Sequence, residues 1–183
     1  MKKIIVGISG GSGSILGIKM LEALRKAGTE THLVITDVAK DVIFQETDYK
    51  VEDVEKLASK TYRIDDFFAA IASGSFRTDG MVIVPCSMKT LAGVSSGYSS
   101  NLLLRAADIM LKERRKLVIV AREAPLSLIH IRNMKNVTDA GAVVIPPMMT
   151  FYSKPKTVDD MIEHIVGKVL DQFGIDSKYK RWK

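Results

Sequence analysis

Ile4-Ile5-Val6-Gly7-Ile8-Ser9-Gly10-Gly11-Ser12-Gly13-Ser14 is the stretch that decides the fold. A short apolar run gives way to a glycine-rich turn, after which Ile15, Leu16, Ile18, Leu21 and Leu24 recur along an amphipathic stretch. Strand, glycine turn and helix start in that order set backbone N–H groups at the positive end of a helix dipole, a ready site for a phosphate or another anion.

The same alternation continues along the chain. Strands are predicted at Lys3–Ile8, Thr31–Thr36, Gly80–Pro85, Lys116–Ala121 and Ala142–Pro146. Helices are predicted near Ser14–Ala27, Asp37–Gln45, Val51–Lys60, Ser87–Val94, Asn101–Arg114, Leu128–Asp139 and Val158–Phe173. Nearly continuous apolar strands between helices imply a parallel sheet covered on both faces, an α/β fold of the Rossmann/flavodoxin-like kind. With 183 residues and no linker or repeat, one domain over 1–183 is expected.

Composition narrows the class. Apolar residues make up 46% and charged residues 26%, as in an ordinary soluble globular protein. No run approaches the ~18 apolar residues of a membrane span, and the apolar run at Ile4–Val6 is too short for a secretory leader. The single cysteine, Cys86, excludes an internal disulfide and a zinc constellation. A cytoplasmic enzyme or binding protein follows as the expectation. The net charge of +6 gathers in Lys112–Lys116 and Lys178–Lys183, and neither run lies beside a stacking platform in the sequence, so nucleic acid is not expected.

Ligands of such sheets sit at the carboxyl ends of the strands. There the chain carries the glycine loop, Thr36-Asp37, Cys86-Ser87-Met88-Lys89-Thr90, Arg122-Glu123, and Pro146-Pro147 leading to Phe151-Tyr152. The glycine loop is neither a Walker A motif nor G-x-G-x-x-G, and its literal G-x-S-x-G match at Gly7–Gly11 lacks a suitably placed histidine. Ser87 reads as a helix cap and Cys86 as a small buried apolar residue. Arg105, Asp108 and Lys112 share a helical face, which by spacing alone favours ion pairs to Asp108 over an anion site for a neighbouring subunit or loop. Glu46, by itself, is an ordinary exposed carboxylate.

Taken together these segments resemble the UbiX/Pad1 flavin prenyltransferases. The similarity rests on Gly7–Gly13, Ser73-Gly74-Ser75-Phe76, Pro85–Gly93, Arg105-Ala106-Ala107-Asp108, Leu111–Arg115, Arg122–Ser127, Phe151-Tyr152, Leu170–Phe173 and Arg181-Trp182, in order over the whole chain. It implies a flavodoxin-like fold, a homo-oligomer that is typically a dodecamer, and transfer of a dimethylallyl group from its monophosphate to N5 and C6 of reduced FMN. The prenylated FMN would serve a UbiD-type decarboxylase, with no metal required.

Carried over by position, the resemblance assigns FMN contacts to Gly10, Gly11, Ser12, Thr36, Ser87, Met88, Lys89, Thr90 and Arg122. It assigns dimethylallyl phosphate contacts to Arg105, Lys112, Arg122, Tyr152 and Lys168, and proton handling to Ser12, Glu46 and Glu123. Lys168 stands where arginine is commoner, exchanging a planar fork for a point charge. Met148-Met149-Thr150 replaces a usual Pro-Ala pair beside the expected prenyl pocket. Two other functions remain open: an FMN-dependent cysteine decarboxylase, and an FMN-storage or chaperone subunit without transferase activity.

Overall fold

A computed structural model describes residues 1–182. Six parallel strands form one sheet: β1 (Lys3–Ile8), β2 (Glu30–Ile35), β3 (Lys60–Tyr62), β4 (Gly80–Cys86), β5 (Leu117–Ala121) and β6 (Val143–Val144), in the order β3-β2-β1-β4-β5-β6. Seven α-helices accompany them: α1 (Ser14–Lys26), α2 (Asp37–Glu46), α3 (Val51–Glu55), α4 (Met88–Ser96), α5 (Leu102–Lys112), α6 (Leu128–Asp139) and α7 (Val158–Gln172), with a 3-10 turn at Ala70–Ala72.

The side-chain period of two sorts the core into two layers. Ile4, Val6 and Ile8 of β1 join Leu33, Val82 and Val118 under α1 and α7, whereas Ile5, Val34, Met81 and Ile119 face α5. Every residue of β4 and β5 is buried, as double coverage of a parallel sheet requires. Gly17 lets α1 approach closely, since a Cβ there would lie 2.5 Å from the Val84 carbonyl.

Five strands were legible as apolar runs; the sixth, β3, lies where the third predicted helix was expected to run on to Lys60. That helix stops at Glu55, because Lys60-Thr61-Tyr62 pairs with His32–Val34 as a short, half-exposed edge. The other edge is shorter than expected, with only Val143-Val144 paired. Without β3 the remaining strands follow the flavodoxin order; with it, the order is that of the Rossmann sheet. In both, the strand order reverses between β1 and β4, and their carboxyl ends open the crevice in which ligands of such sheets bind.

Candidate functional site

Ser9 holds that crevice together. Its buried hydroxyl donates to the Pro85 carbonyl at 3.1 Å and accepts the Ser87 N–H at 2.9 Å, tying the tip of β1 to the tip of β4. So placed, Ser9 is a stitch between loops, and the G-x-S-x-G resemblance is accidental. Ser87 also caps α4, accepting the Thr90 N–H at 3.3 Å and donating to the Thr90 hydroxyl at 3.2 Å. Thr36 caps α2 through the Ala39 N–H. The Arg122 N–H donates to the Cys86 carbonyl at 3.1 Å, which brings β5's tip beside β4's. Cys86 is fully buried, and burial alone pushes its thiol far above the ordinary range, so it is an inert core residue.

Glu46 gains a task that sequence reasoning missed. Gly13, at φ +95°, heads α1 with no side chain to cap it. Glu46, the last residue of α2, supplies the cap from outside: its Oε2 accepts the Gly13 N–H at 2.7 Å and the Ser14 N–H at 3.3 Å. Partial burial raises its pKa, but hydrogen bonds from Ser12, Gly13 and Ser14 outweigh burial and hold it below the ordinary carboxylate value. Ser12 stands beside this carboxylate, which also accepts the Ser14 hydroxyl at 3.4 Å. A bare glycine at a helix start was the only hint in the sequence that a cap had to come from elsewhere.

Among the described residues no hydrogen bond uses the N–H groups of Gly10, Ser12, Met88 or Lys89. They belong to the turn before α1 and the first turn of α4, where unpaired donors and dipole ends coincide. The two turns face each other: a Cβ on Gly11 would lie 3.6 Å from the Ser87 N and Cα, and one on Gly10 would run into Val38 at 2.5 Å. The result is a cradle of backbone donors suited to an anionic ligand and kept open by glycine.

Arg105 and Lys112 lie elsewhere. They line a polar recess of about 760 Å³ with Ala72–Ser75, Arg77, Glu113 and Arg115, beside the segments that lead into the amino ends of β4 and β5. Arg105 pairs with Asp108 at 2.8 Å and donates to the Ala72 carbonyl at 3.3 Å. Lys112 pairs with Glu113, so the expected second bridge to Asp108 is not made. Within one chain these cations and the glycine cradle lie toward opposite ends of the strands.

Tyr152 and Lys168 form a third group. Tyr152, 38% exposed after β6, sets its ring edge-to-face against His164 at 5.5 Å, and Lys168 stands one turn along α7 from that histidine. The Tyr152 ring also meets Trp182 at 5.2 Å, so the basic tail does run beside aromatic rings, against expectation. These contacts are internal: Arg181 pairs with Asp171 and lies 4.6 Å over the Tyr179 ring. Lys183, the tail's last basic residue, lies outside the described residues.

Comparison with known proteins places the chain. The Flavoprotein family model matches residues 1–170. The flavin prenyltransferase UbiX of Thauera aromatica is 54% identical over 181 residues, covering 98% of this chain and 93% of that protein. This chain belongs to the UbiX-like flavin prenyltransferases. Its backbone matches the crystal structure of AnUbiX (PadA1) in complex with FMN and dimethylallyl pyrophosphate, with a TM-score of 0.96, 49% identity, and coverage of 100% and 99% of the two chains. It also matches a dodecameric FMN-dependent UbiX-like decarboxylase from Escherichia coli O157:H7, with a TM-score of 0.97, 51% identity and 99% of both chains covered. The cysteine decarboxylase SpaF, at 18% identity and a TM-score of 0.65, shares the fold alone.

In this UbiX-like chain the histidines are all engaged away from the glycine cradle. His32, buried in β2, contacts the Tyr62 hydroxyl at 2.8 Å and Glu30 at 2.9 Å. His130 closes a capping box by accepting the Ser127 N–H, and His164 sits among aromatic rings on α7. Glu123, exposed at β5's tip, accepts only the neighbouring Ala124 N–H at 3.0 Å; the fold does not bring it against Ser12 or Glu46. No group of histidine, cysteine or carboxylate side chains suited to a metal occurs among the described residues, nor any helix long and apolar enough to cross a membrane.

Proposed function

We propose that this chain transfers the dimethylallyl group of dimethylallyl monophosphate to reduced FMN, giving prenylated FMN. The observation that carries this reading is the paired cradle at the ends of β1 and β4, in which the Gly10, Ser12, Met88 and Lys89 N–H groups are all uncommitted. Membership of a family of that name, with about half of all residues identical, supports the same chemistry. Gly10, Gly11, Ser12, Thr36, Ser87, Met88, Lys89, Thr90 and Arg122 would hold FMN, the Arg122 guanidinium standing at the cradle's β5 side. Reduced FMN, when bound, supplies nucleophilic N5 and C6 atoms.

The protein's own work is to hold the donor, neutralise a departing phosphate and move protons. Arg105, Lys112, Arg122 and Lys168 would balance the charge that builds on the phosphate as its ester C–O bond breaks, and the Tyr152 hydroxyl would donate to a phosphate oxygen. Glu46, a carboxylate at neutral pH, orients Ser12 as an acceptor relay for the proton lost from flavin N5. Glu123 would exchange a proton with the phosphate. Because Arg105 and Lys112 lie toward the opposite ends of the strands, this reading requires a neighbouring copy to bring them to the cradle. The dodecameric assembly of a 51% identical relative supports such an oligomer. The product would pass to a UbiD-type decarboxylase, in a cytoplasmic setting.

The test is direct. The protein is incubated anaerobically with reduced FMN and either dimethylallyl monophosphate or diphosphate, and the flavin is weighed by mass spectrometry. Gain of one C5H8 unit is expected with the monophosphate. An unchanged flavin mass with both donors sinks the proposal and leaves flavin storage as the function.

A further inference from the structure

His164 carries an unusual burden for a residue outside the candidate site. It is 5% exposed, and its buried Nδ1 has no hydrogen-bond partner. What touches it is aromatic: Tyr152 edge-to-face at 5.5 Å and Tyr179 edge-to-face at 5.0 Å. A buried imidazole with an orphan nitrogen is ordinarily a poor choice against a hydrocarbon ring. Its ring contacts are therefore what the fold keeps.

The second of those contacts is firmly anchored. Tyr179 donates its hydroxyl to Asp171, and Arg181 closes a fork on the same carboxylate with two contacts of 2.7 Å. Burial and the Asp171 carboxylate push the Tyr179 phenol up to about 12, so it stays a donor. The ring lies flat over Gly167, where a Cβ would come within 2.1 Å of Tyr179 Cδ1. Lys180 fastens the strap further by donating to the Ser153 carbonyl at 3.1 Å, next to Tyr152 itself. The carboxyl-terminal segment is thus folded back on α7; it meets Tyr152 directly through Trp182, and His164 is the wedge between Tyr179 and Tyr152.

We infer that His164 is a positioning residue for dimethylallyl phosphate binding: its ring, braced by Tyr179, fixes the rotamer of Tyr152. This rests on the prenyl-transfer reading, in which Tyr152 meets the phosphate. The ring acts by shape, and Nδ1 takes no part. Burial and the nearby Lys168 charge hold the imidazole neutral, which suits a wedge between two aromatic rings.

Steady-state rates with saturating reduced FMN, FMN affinity and thermal midpoint decide it. His164→Ala raises KM for dimethylallyl monophosphate about 2- to 10-fold, the range that loss of an edge-to-face pair converts to, and leaves FMN affinity unchanged. His164→Phe keeps KM near wild type from about pH 6 to 8, across the imidazole range, with no loss of thermal midpoint. A raised KM in a fully folded His164→Phe protein assigns the work to the nitrogen and overturns the inference. Arg181→Ala, at an exposed site, loosens the brace without emptying the core and raises KM in the same direction by less; an unchanged KM there removes the brace. Tyr152→Ala separates the two layers of the argument. Its KM unchanged overturns the role of Tyr152 and with it this inference; its KM raised while that of His164→Ala is not overturns the positioning alone.

Discussion

The glycine cradle and the Arg105–Lys112 recess are built on opposite principles. The cradle is backbone, fixed by the buried Ser9 hydroxyl and the Glu46 cap, and its free donors cannot turn away. In the recess Arg105 and Lys112 are side chains about a third to a half exposed, each already held by a carboxylate from its own helix or its end. Such half-exposed pairs are weak and exchange partners readily. On the proposed reading, one chain would prepare a rigid flavin seat and keep Arg105 and Lys112 in reserve away from it. The site would then be complete only when two copies meet, which would divide flavin binding from donor binding in a mutational experiment.

The sharpest way to break this division is at the chemistry between the two regions. Glu123→Gln is expected to lower the prenylation rate by about 100-fold or more, as loss of a general acid–base group does, with FMN affinity unchanged. Single-turnover flavin mass spectra beside an FMN titration measure both. Lost FMN binding in a folded variant would move Glu123 to the flavin side. Next in size, Arg105→Ala is expected to weaken dimethylallyl phosphate binding by about 10-fold or more, the worth of one charge-assisted hydrogen bond, again without moving FMN affinity. Mixing that variant with a Glu123→Gln chain tests the partition further. Mixed oligomers regain activity if cation and acid come from different copies, and a mixture no more active than its parts returns both to one chain.

The two regions also differed in how far they could be read in advance. Strands β1, β4 and β5 declared themselves because burial on both faces demands unbroken apolar runs, and the loops after them named the rim. Lys60-Thr61-Tyr62 was lost to a helix because a three-residue, half-exposed edge needs no apolar run and leaves no period. Glu46 looked ordinary since its role depends on meeting Gly13, 33 residues away. Arg105 was read correctly as a partner of Asp108, a local contact that helical spacing dictates. The Tyr152–His164–Tyr179 stack was invisible for the opposite reason: three segments converge with no shared periodicity.

Smaller effects sharpen what makes the cradle rigid. Ser9→Ala leaves the Ser87 N–H without its acceptor and the Pro85 carbonyl with the residue 9 backbone N–H alone, which should cost about 1–3 kcal/mol of stability and loosen FMN binding. Prenylation of the flavin that does bind should continue at the normal rate. A chemically dead but stable Ser9→Ala protein would revive the nucleophile reading of G-x-S-x-G.

The least change is expected from Glu46→Gln on stability, and its pH dependence identifies the cause. Glu46 titrates below the ordinary glutamate value in the folded chain, because its hydrogen bonds to Ser12, Gly13 and Ser14 favour the charged form over the opposing effect of burial. The folded state therefore binds its proton less readily than the unfolded state. Its stabilisation is complete above the unfolded value of about 4.5 and is lost as pH falls through the lower folded value. Glutamine keeps an oxygen for the Gly13 N–H but no charge for the α1 dipole, so at neutral pH the variant should be less stable by about 0.3–1 kcal/mol. The gap in thermal midpoint should close on acidification below about pH 4.5. A gap that persists undiminished at pH 3 would mean that shape, rather than charge, locks the loop, and the cradle's rigidity would then owe nothing to the Glu46 charge.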